Sequence, residues 1–192
     1  MDSVPNLTTS LSGPLAELEK TLIRAQPEIE GYLRRAWQIH KAPFYSSVDL
    51  RMSGFKLAPV DTNLFPGGFN NLSPAFAPLA VHALMNAVEK ICPHSEVLLI
   101  PENHTRNTYY LQNVFALTQL MKQAGIRVRV GSMNADITAP TPFITALGNE
   151  LVLEPLRRFG NTLSVDEQFR PCAVILNNDL SAGVADILQG IG

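Results

Sequence analysis

Charge is scarce in this chain and cysteine scarcer. Charged residues make up 17% of 192, with 15 basic against 17 acidic and a formal net charge of −2. No basic stripe is present to neutralise a row of phosphates, so nucleic acid is not a natural partner. The two cysteines, Cys92 and Cys172, are too few for a disulfide framework. They read most simply as small apolar core residues in a reducing, cytoplasmic setting. No apolar run approaches the ~20 residues of a membrane span, and the opening MDSVPNLTTS lacks the basic start and apolar middle of a signal peptide. Neither GxGxxG nor GxxxxGK[ST] spacing occurs, so no loop reads as a phosphate cradle. No cluster has zinc-ligand spacing, and no DxD motif supports a nucleotide-sugar transferase. What is present is a 46% hydrophobic composition, that of a globular protein able to build one core, or one and a half.

One stretch organises the rest: Phe55 to Leu72, FKLAPVDTNLFPGGFNNL. It begins as an apolar strand, Phe55 to Val60, and becomes a run of Asp61, Thr62, Asn63, Pro66, Gly67, Gly68, Asn70 and Asn71. So many donors and acceptors cannot be packed in a core without partners. Polar side chains on a loop just past a buried strand are the material of a small-molecule site in an α/β protein. Asp61 suits an ammonium group. Asn63, Asn70 and Asn71 can each donate to a carboxylate and accept from an amine. A turn held by its own Asn and Asp side chains is the plain alternative.

Before this stretch, residues 1–13 are polar and read as loose. Leu15, Leu18, Leu22, Ile29, Leu33 and Trp37 then recur at helical spacing, with Pro27 breaking the run into two helices. Residues 1–43 read as a helical leader packed on the domain, and 44–192 as an α/β domain. Strands are expected at Ser47–Met52 and Phe55–Val60, joined by a tight turn at Ser53-Gly54. Arg51 shares a face with Asp49; it either pairs with it or grips a substrate carboxylate bidentately.

After the stretch, Ser73 and Pro74 read as the cap and first residue of a helix reaching about Ile91. EVLLIP at 96–101 is apolar throughout, as a strand buried on both faces is. A polar loop, a helix around Tyr110–Met121, Gly125 and a strand at 126–130 follow, which is a βαβ unit with parallel strands. The loop Glu102-Asn103-His104-Thr105-Arg106-Asn107 lies where open α/β sheets bind ligands. Asn103 or Thr105 is expected to cap the helix, and with Arg106 to meet an anionic group. Pro140 and Pro142 mark a loop, Leu151–Leu153 a short strand, 156–160 a turn and 161–169 a connection. CAVIL at 172–176 is a further buried strand, followed by Asn177, Asn178 and Asp179. Three polar loops after three strands predict one shared rim.

FKLAPVDTNLFPGGFNN, IPENHTRN and LNNDLSAG together resemble the N-terminal part of a proteobacterial type of glutamate–cysteine ligase, from about Phe44 onward. The resemblance implies a pre-ATP-grasp-like domain with a mainly parallel sheet and flanking helices, in a chain longer than this one. It implies ATP-dependent joining of the glutamate side-chain carboxylate to the cysteine amine, with ATP and magnesium held mostly elsewhere. Glutamate, cysteine and ATP are then the partners, with room for a homo-oligomer. From their chemistry, Arg51, Asp61, Asn63, Asn70 and Asn71 are assigned to an amino acid. Asn103, Thr105 and Arg106 are assigned to an anionic group, and Asn177, Asn178 and Asp179 to the rim. A non-catalytic module binding an amino acid or another small polar ligand is the alternative.

Overall fold

A computed structural model describes residues 12–53, 56–181 and 183–191, so most of the stretch expected to be loose, 1–13, lies outside the described residues. The chain divides into two compact units between Leu64 and Phe65.

In the first unit the apolar run folds as α1 (Pro14–Arg24) and α2 (Gln26–Ile39). Pro27 lies in the first turn of α2, where its missing N–H removes no helical bond. α1 buries Ala16 and α2 buries none of its residues. Leu33 and Trp37 are 39% and 60% exposed. β1 (Ser47–Met52) and β2 (Leu57–Asn63) pair antiparallel as a two-stranded sheet. This corrects the reading of the organising stretch. Its strand starts at Leu57, pairs with β1 alone and is mostly exposed, because a two-stranded ribbon has no second layer to bury it. Asp61, Thr62 and Asn63 therefore belong to the strand and not to a loop. The connection is Ser53–Lys56, closed by the Ser53 N–H donating to Lys56 O at 3.0 Å; the expected turn residue Gly54, with Phe55, lies outside the described residues. A register shift at Asp49/Leu50 sets Asp49 opposite Asp61, and among the described residues no ion pair joins Asp49 to Arg51.

The second unit opens with 3-10 turns at Phe69–Asn71 and Pro74–Phe76, and then α3 (Ala77–Glu89). Ser73 makes no capping bond, because the helix proper starts three residues later than expected, at Ala77. β3 (Glu96–Pro101), α4 (Thr108–Gln123) and β4 (Arg127–Ser132) form the expected βαβ unit, with β3 and β4 parallel. α4 buries Leu111, Val114, Leu117, Leu120 and Met121 on one helical face. Gly125 ends it with φ at 75°, a left-handed turn that glycine adopts without strain. β5 (Thr141–Ile144), β6 (Glu150–Pro155), β7 (Arg157–Phe159), β8 (Thr162–Ser164) and β9 (Ala173–Asn177) complete the fold. The main sheet has five strands in the order β5-β6-β4-β3-β9, all parallel except β5.

Three more expectations change. Pro142 lies in β5 and not in a loop; β5 is an edge strand, where the N–H that proline lacks is not required on the side with no partner strand. Residues read as a turn and a connection form the β7–β8 hairpin. Cys92 and Cys172 are joined as a disulfide with Cα atoms 5.0 Å apart, not two separate thiols. The cause is topological: β9 enters the sheet beside the start of β3, where the Cys172 N–H donates to Glu96 O at 2.9 Å, and the turn after α3 delivers Cys92 to the same place. Among the described residues no helix is long and apolar enough to cross a membrane.

Alternation along β3 sends Leu98 and Ile100 to one face, where they pack with Leu156, Leu163, Val165 and Phe169. α4 packs against β4, β5 and β6. Gly131 lets the core close tightly at the sheet's centre: a Cβ there would lie 3.0 Å from the Leu156 side chain and 3.1 Å from that of Leu98, and both would have to shift. At one side of this core the Arg129 guanidinium grips Glu154 with two nitrogens, Nε at 2.8 Å, and reaches Asp166 with a third. Its carbon stands 5.3 Å from the Phe169 ring centroid. The two carboxylates hold the guanidinium's pKa above its ordinary value. The Phe169 N–H, and then Arg129, hold the Asp166 carboxyl below its ordinary value.

Phe169→Ala removes a side chain 1% exposed together with the surface on which Arg129 rests. We expect a loss of about 3–5 kcal/mol in urea unfolding. Asp166 has a lowered folded pKa, so its contribution is complete above the unfolded value of about 3.9 and is lost as pH falls through the folded value. The urea midpoint of Asp166→Asn should therefore fall less than that of the parent between about pH 5 and pH 3; parallel curves would show that the ion pair does not act on stability.

Candidate functional site

The carboxyl ends of β3 and β9 lie level, with Pro101 opposite Asn177. The loops that follow them therefore leave the sheet side by side. Two bonds fasten them together: the Asp179 N–H donates to Glu102 Oε1 at 2.9 Å, and Asn178 Nδ2 to Pro101 O at 3.5 Å. The second loop is closed on itself. The Leu180 N–H donates to Asn178 Oδ1, the Ser181 N–H to Asp179 Oδ1 and the Gly183 N–H to Leu180 O, each at 2.8 Å. This coil holds Leu180 at φ 56°, a left-handed conformation uncommon for any residue but glycine.

The first loop is ordered from the helix it enters. Asn107 caps α4, its Oδ1 accepting from the N–H groups of Tyr109 at 3.1 Å and Tyr110 at 3.0 Å. This corrects the expectation that Asn103 or Thr105 does so: α4 starts at Thr108, which leaves only Asn107 one residue ahead of it. The Tyr110 hydroxyl accepts from the Glu102 N–H at 2.7 Å, and its ring meets the His104 ring edge-on at 5.4 Å.

Between the loops lies a groove of about 730 Å³, within the range of small-molecule sites. Glu102, His104, Asp179 and Ser181 give it polar chemistry, and Met133 and Val184 an apolar side. The N–H and hydroxyl of Ser181 hold the Asp179 carboxyl below its usual range, and His104 adds to the effect.

Of the residues singled out from the sequence, Asn103, Asn178 and Asp179 line this groove. Thr105 is half-buried and Arg106 exposed, and neither lines it. Asn177 lies beneath the rim, 3% exposed, with Nδ2 donating to Pro66 O at 3.1 Å. Together with the Phe69 N–H donating to Asn113 Oδ1 at 2.8 Å, this pins the Pro66–Asn71 segment to the end of β9 and to α4. Gly68 turns within that segment at φ 79°. Asn70 and Asn71 are exposed there and bonded to each other at 3.1 Å. Arg51, Asp61 and Asn63 belong to the hairpin of the other unit, exposed on β1 and β2. Sequence reasoning gave little weight to Glu102 and His104 and overlooked the groove roles of Tyr110, Met133 and Ser181. The position of Glu102 directly after a buried strand was the available signal.

The family model for glutamate-cysteine ligase matches residues 19–192. The chain belongs to the glutamate-cysteine ligase family. It is similar to a crystal structure from Methylobacillus flagellatus KT, a protein provisionally named a gamma-glutamylcysteine synthetase. Identity is 61%, the TM-score is 0.84, and the match covers 98% of this chain and 44% of that one. The chain thus spans less than half the length of that ligase-family relative. No curated protein matches it.

Asn107→Ala should cost about 0.5–2 kcal/mol of stability and speed amide exchange at Tyr109 and Tyr110. Thr105→Ala should leave both unchanged, and a reversed ranking would return the cap to Thr105.

Proposed function

We propose that this glutamate-cysteine ligase chain supplies part of the amino-acid site for ATP-dependent joining of L-glutamate to L-cysteine, the first step of glutathione synthesis. The observation that carries the reading is the family match over residues 19–192, supported by 61% identity to the Methylobacillus protein. The groove supports it too, since it lies at the carboxyl edge of an open, mostly parallel sheet, where such sheets hold ligands. In the reaction the glutamate side-chain carboxylate takes the terminal phosphoryl group of ATP. The neutral cysteine amine then attacks the acyl carbon, its nitrogen gives up a proton to solvent as the amide bond forms, and phosphate leaves with the carbon–oxygen bonding pair.

The residues described do not fit magnesium and a triphosphate. Among them no group of three or more His, Cys, Asp or Glu is placed to hold a metal ion, and no Lys or Arg lines the groove. Phosphoryl transfer needs such charge, so no step through ATP or magnesium is assigned to these residues. In this reading both bind mainly outside the 192 residues, in an ATP-grasp-like arrangement. What the chain itself does is hold and orient an amino acid. Asn103, Asn178 and Asp179 act at the groove, with Asn70 and Asn71 as further candidate contacts.

A chimera tests this: the matching segment of the Methylobacillus protein is replaced by these 192 residues. Phosphate release that requires ATP, glutamate and cysteine together, with gamma-glutamylcysteine as product, is the expected result. A well-folded chimera that forms another product, or that turns over without cysteine or glutamate, would overturn the reading. The chain alone should release no phosphate.

A further inference from the structure

We propose that the groove between the β3 and β9 loops recognises the ammonium end of an amino acid, with Glu102 as its contact, and rejects phosphate and carboxylate ends. This rests on the amino-acid ligase reading above and reverses the assignment of the first loop to an anion.

The argument is an accounting of donors and acceptors at the groove wall. An anion site needs N–H groups or cationic side chains aimed outward. Here six of the wall's N–H groups are already used. Asp179 N–H goes to Glu102, Leu180 N–H to Asn178, Ser181 N–H to Asp179 and Gly183 N–H to Leu180. On the facing loop, Glu102 N–H goes to the Tyr110 hydroxyl, and the first amides of α4 go to Asn107. No Lys or Arg among the described residues lines the groove, and Arg106, the nearest in sequence, is exposed outside it.

The acceptors are the opposite case. The bond to Asp179 N–H uses only Oε1 of Glu102, and its second oxygen has no partner among the described residues. The Asp179 carboxylate, whose Oδ1 accepts from the Ser181 N–H, lines the same groove from the other loop, as does His104. Two carboxylates on a wall with no Lys or Arg favour a cation with several N–H groups to give. Met133 and Val184 supply an apolar side for the carbon stem of the same molecule. The Glu102 carboxylate is also held in place at both ends, by the Tyr110 hydroxyl at its own N–H and by Asp179 at its side chain. A fixed acceptor loses less freedom on binding than a mobile one.

The test reads amide shifts of the isotope-labelled 192-residue chain. The probes, used separately, are L-glutamate, L-cysteine, their ammonium-free counterparts glutarate and mercaptopropionate, and inorganic phosphate. At least one of the two amino acids should move the amides of Glu102, Asn103, Asp179 and Ser181 saturably. Its ammonium-free counterpart should bind about tenfold more weakly or worse. Glu102→Gln keeps an oxygen for the Asp179 N–H and removes only the charge. It should lose about tenfold in affinity while the rest of the spectrum stays in place. Equal shifts from phosphate or glutarate would overturn the proposal, as would silence of these four amides with both amino acids. Shifts confined to residues 66–71 would overturn it too while leaving the ligase reading intact, because that reading stands or falls on the chimera's product.

Discussion

The parallel ladder between β3 and β9 is the constraint on which the candidate site depends. It runs from Val97 opposite Ala173 to Pro101 opposite Asn177, and it is fastened at both ends. At the start, the Cys172 N–H donates to Glu96 O and the disulfide ties Cys172 to the end of α3. At the finish, Asn178 and Asp179 bond to Pro101 and Glu102. β9 is an edge strand with Val174 42% exposed, so apolar burial alone would hold it weakly. The covalent link, across a sequence separation of 80, removes on the order of 4 kcal/mol of unfolded-chain freedom in the chain-entropy account. A groove made from two loops far apart in sequence can keep its shape only if the strands beneath them cannot slip, because a one-residue slip would reverse the facing of every side chain.

The segment Pro66–Asn71 is held by a different device, two buried side-chain amides. Asn177 donates to Pro66 O, and Asn113 accepts from the Phe69 N–H. Buried backbone groups must be satisfied, and a glycine-rich loop has few side chains of its own to do it. Amides borrowed from β9 and α4 satisfy the loop and fix its position in one step. Asn113 is 4% exposed and its Nδ2 has no partner among the described residues. One amide is thus half spent on holding the loop, at a cost that an apolar residue there would avoid.

Periodicity made the long elements legible. The 3.6-residue recurrence located α1, α2 and α4, and the unbroken EVLLIP run located β3 with no polar residue to confuse it. The shared rim was legible for two of its three loops, because the βαβ pattern implies parallel strands and parallel strands deliver their loops to one end. The first stretch was read less well: the apolar start of 57–63 looks the same whether a strand joins a large sheet or pairs only with its neighbour, so Asp61 and Asn63 were placed on a loop and not in the strand. β5, β7 and β8 were missed because they are three or four residues long, too short for a period to show, and one contains a proline. The cap was misplaced among Asn103, Thr105 and Asn107 because all three have capping chemistry, and only the register of α4 against the sheet decides which stands at its start. The disulfide left no trace in the sequence, since nothing local links Cys92 to Cys172.

The electrostatic character of the groove lies beyond composition for a deeper reason. The sequence ENHTRN shows one acid, one cation and several neutral donors, and nothing in the order of letters says which of them face inward. The fold decides it by spending. Asn107 occupies the amides of Tyr109 and Tyr110, Asn178 and Asp179 occupy those of Leu180 and Ser181, and Arg106 does not line the groove, which leaves Glu102 and Asp179 among its charged side chains. Under the proposal above, the ammonium group that glutamate and cysteine share and ATP lacks is the group that suits the two carboxylates of the groove. On the ligase reading, this gives a physical reason for the amino-acid site and the phosphate site to lie in different parts of the polypeptide. Cations that stabilise a transferring phosphoryl group would, if they lined this groove, repel the amine that must arrive there.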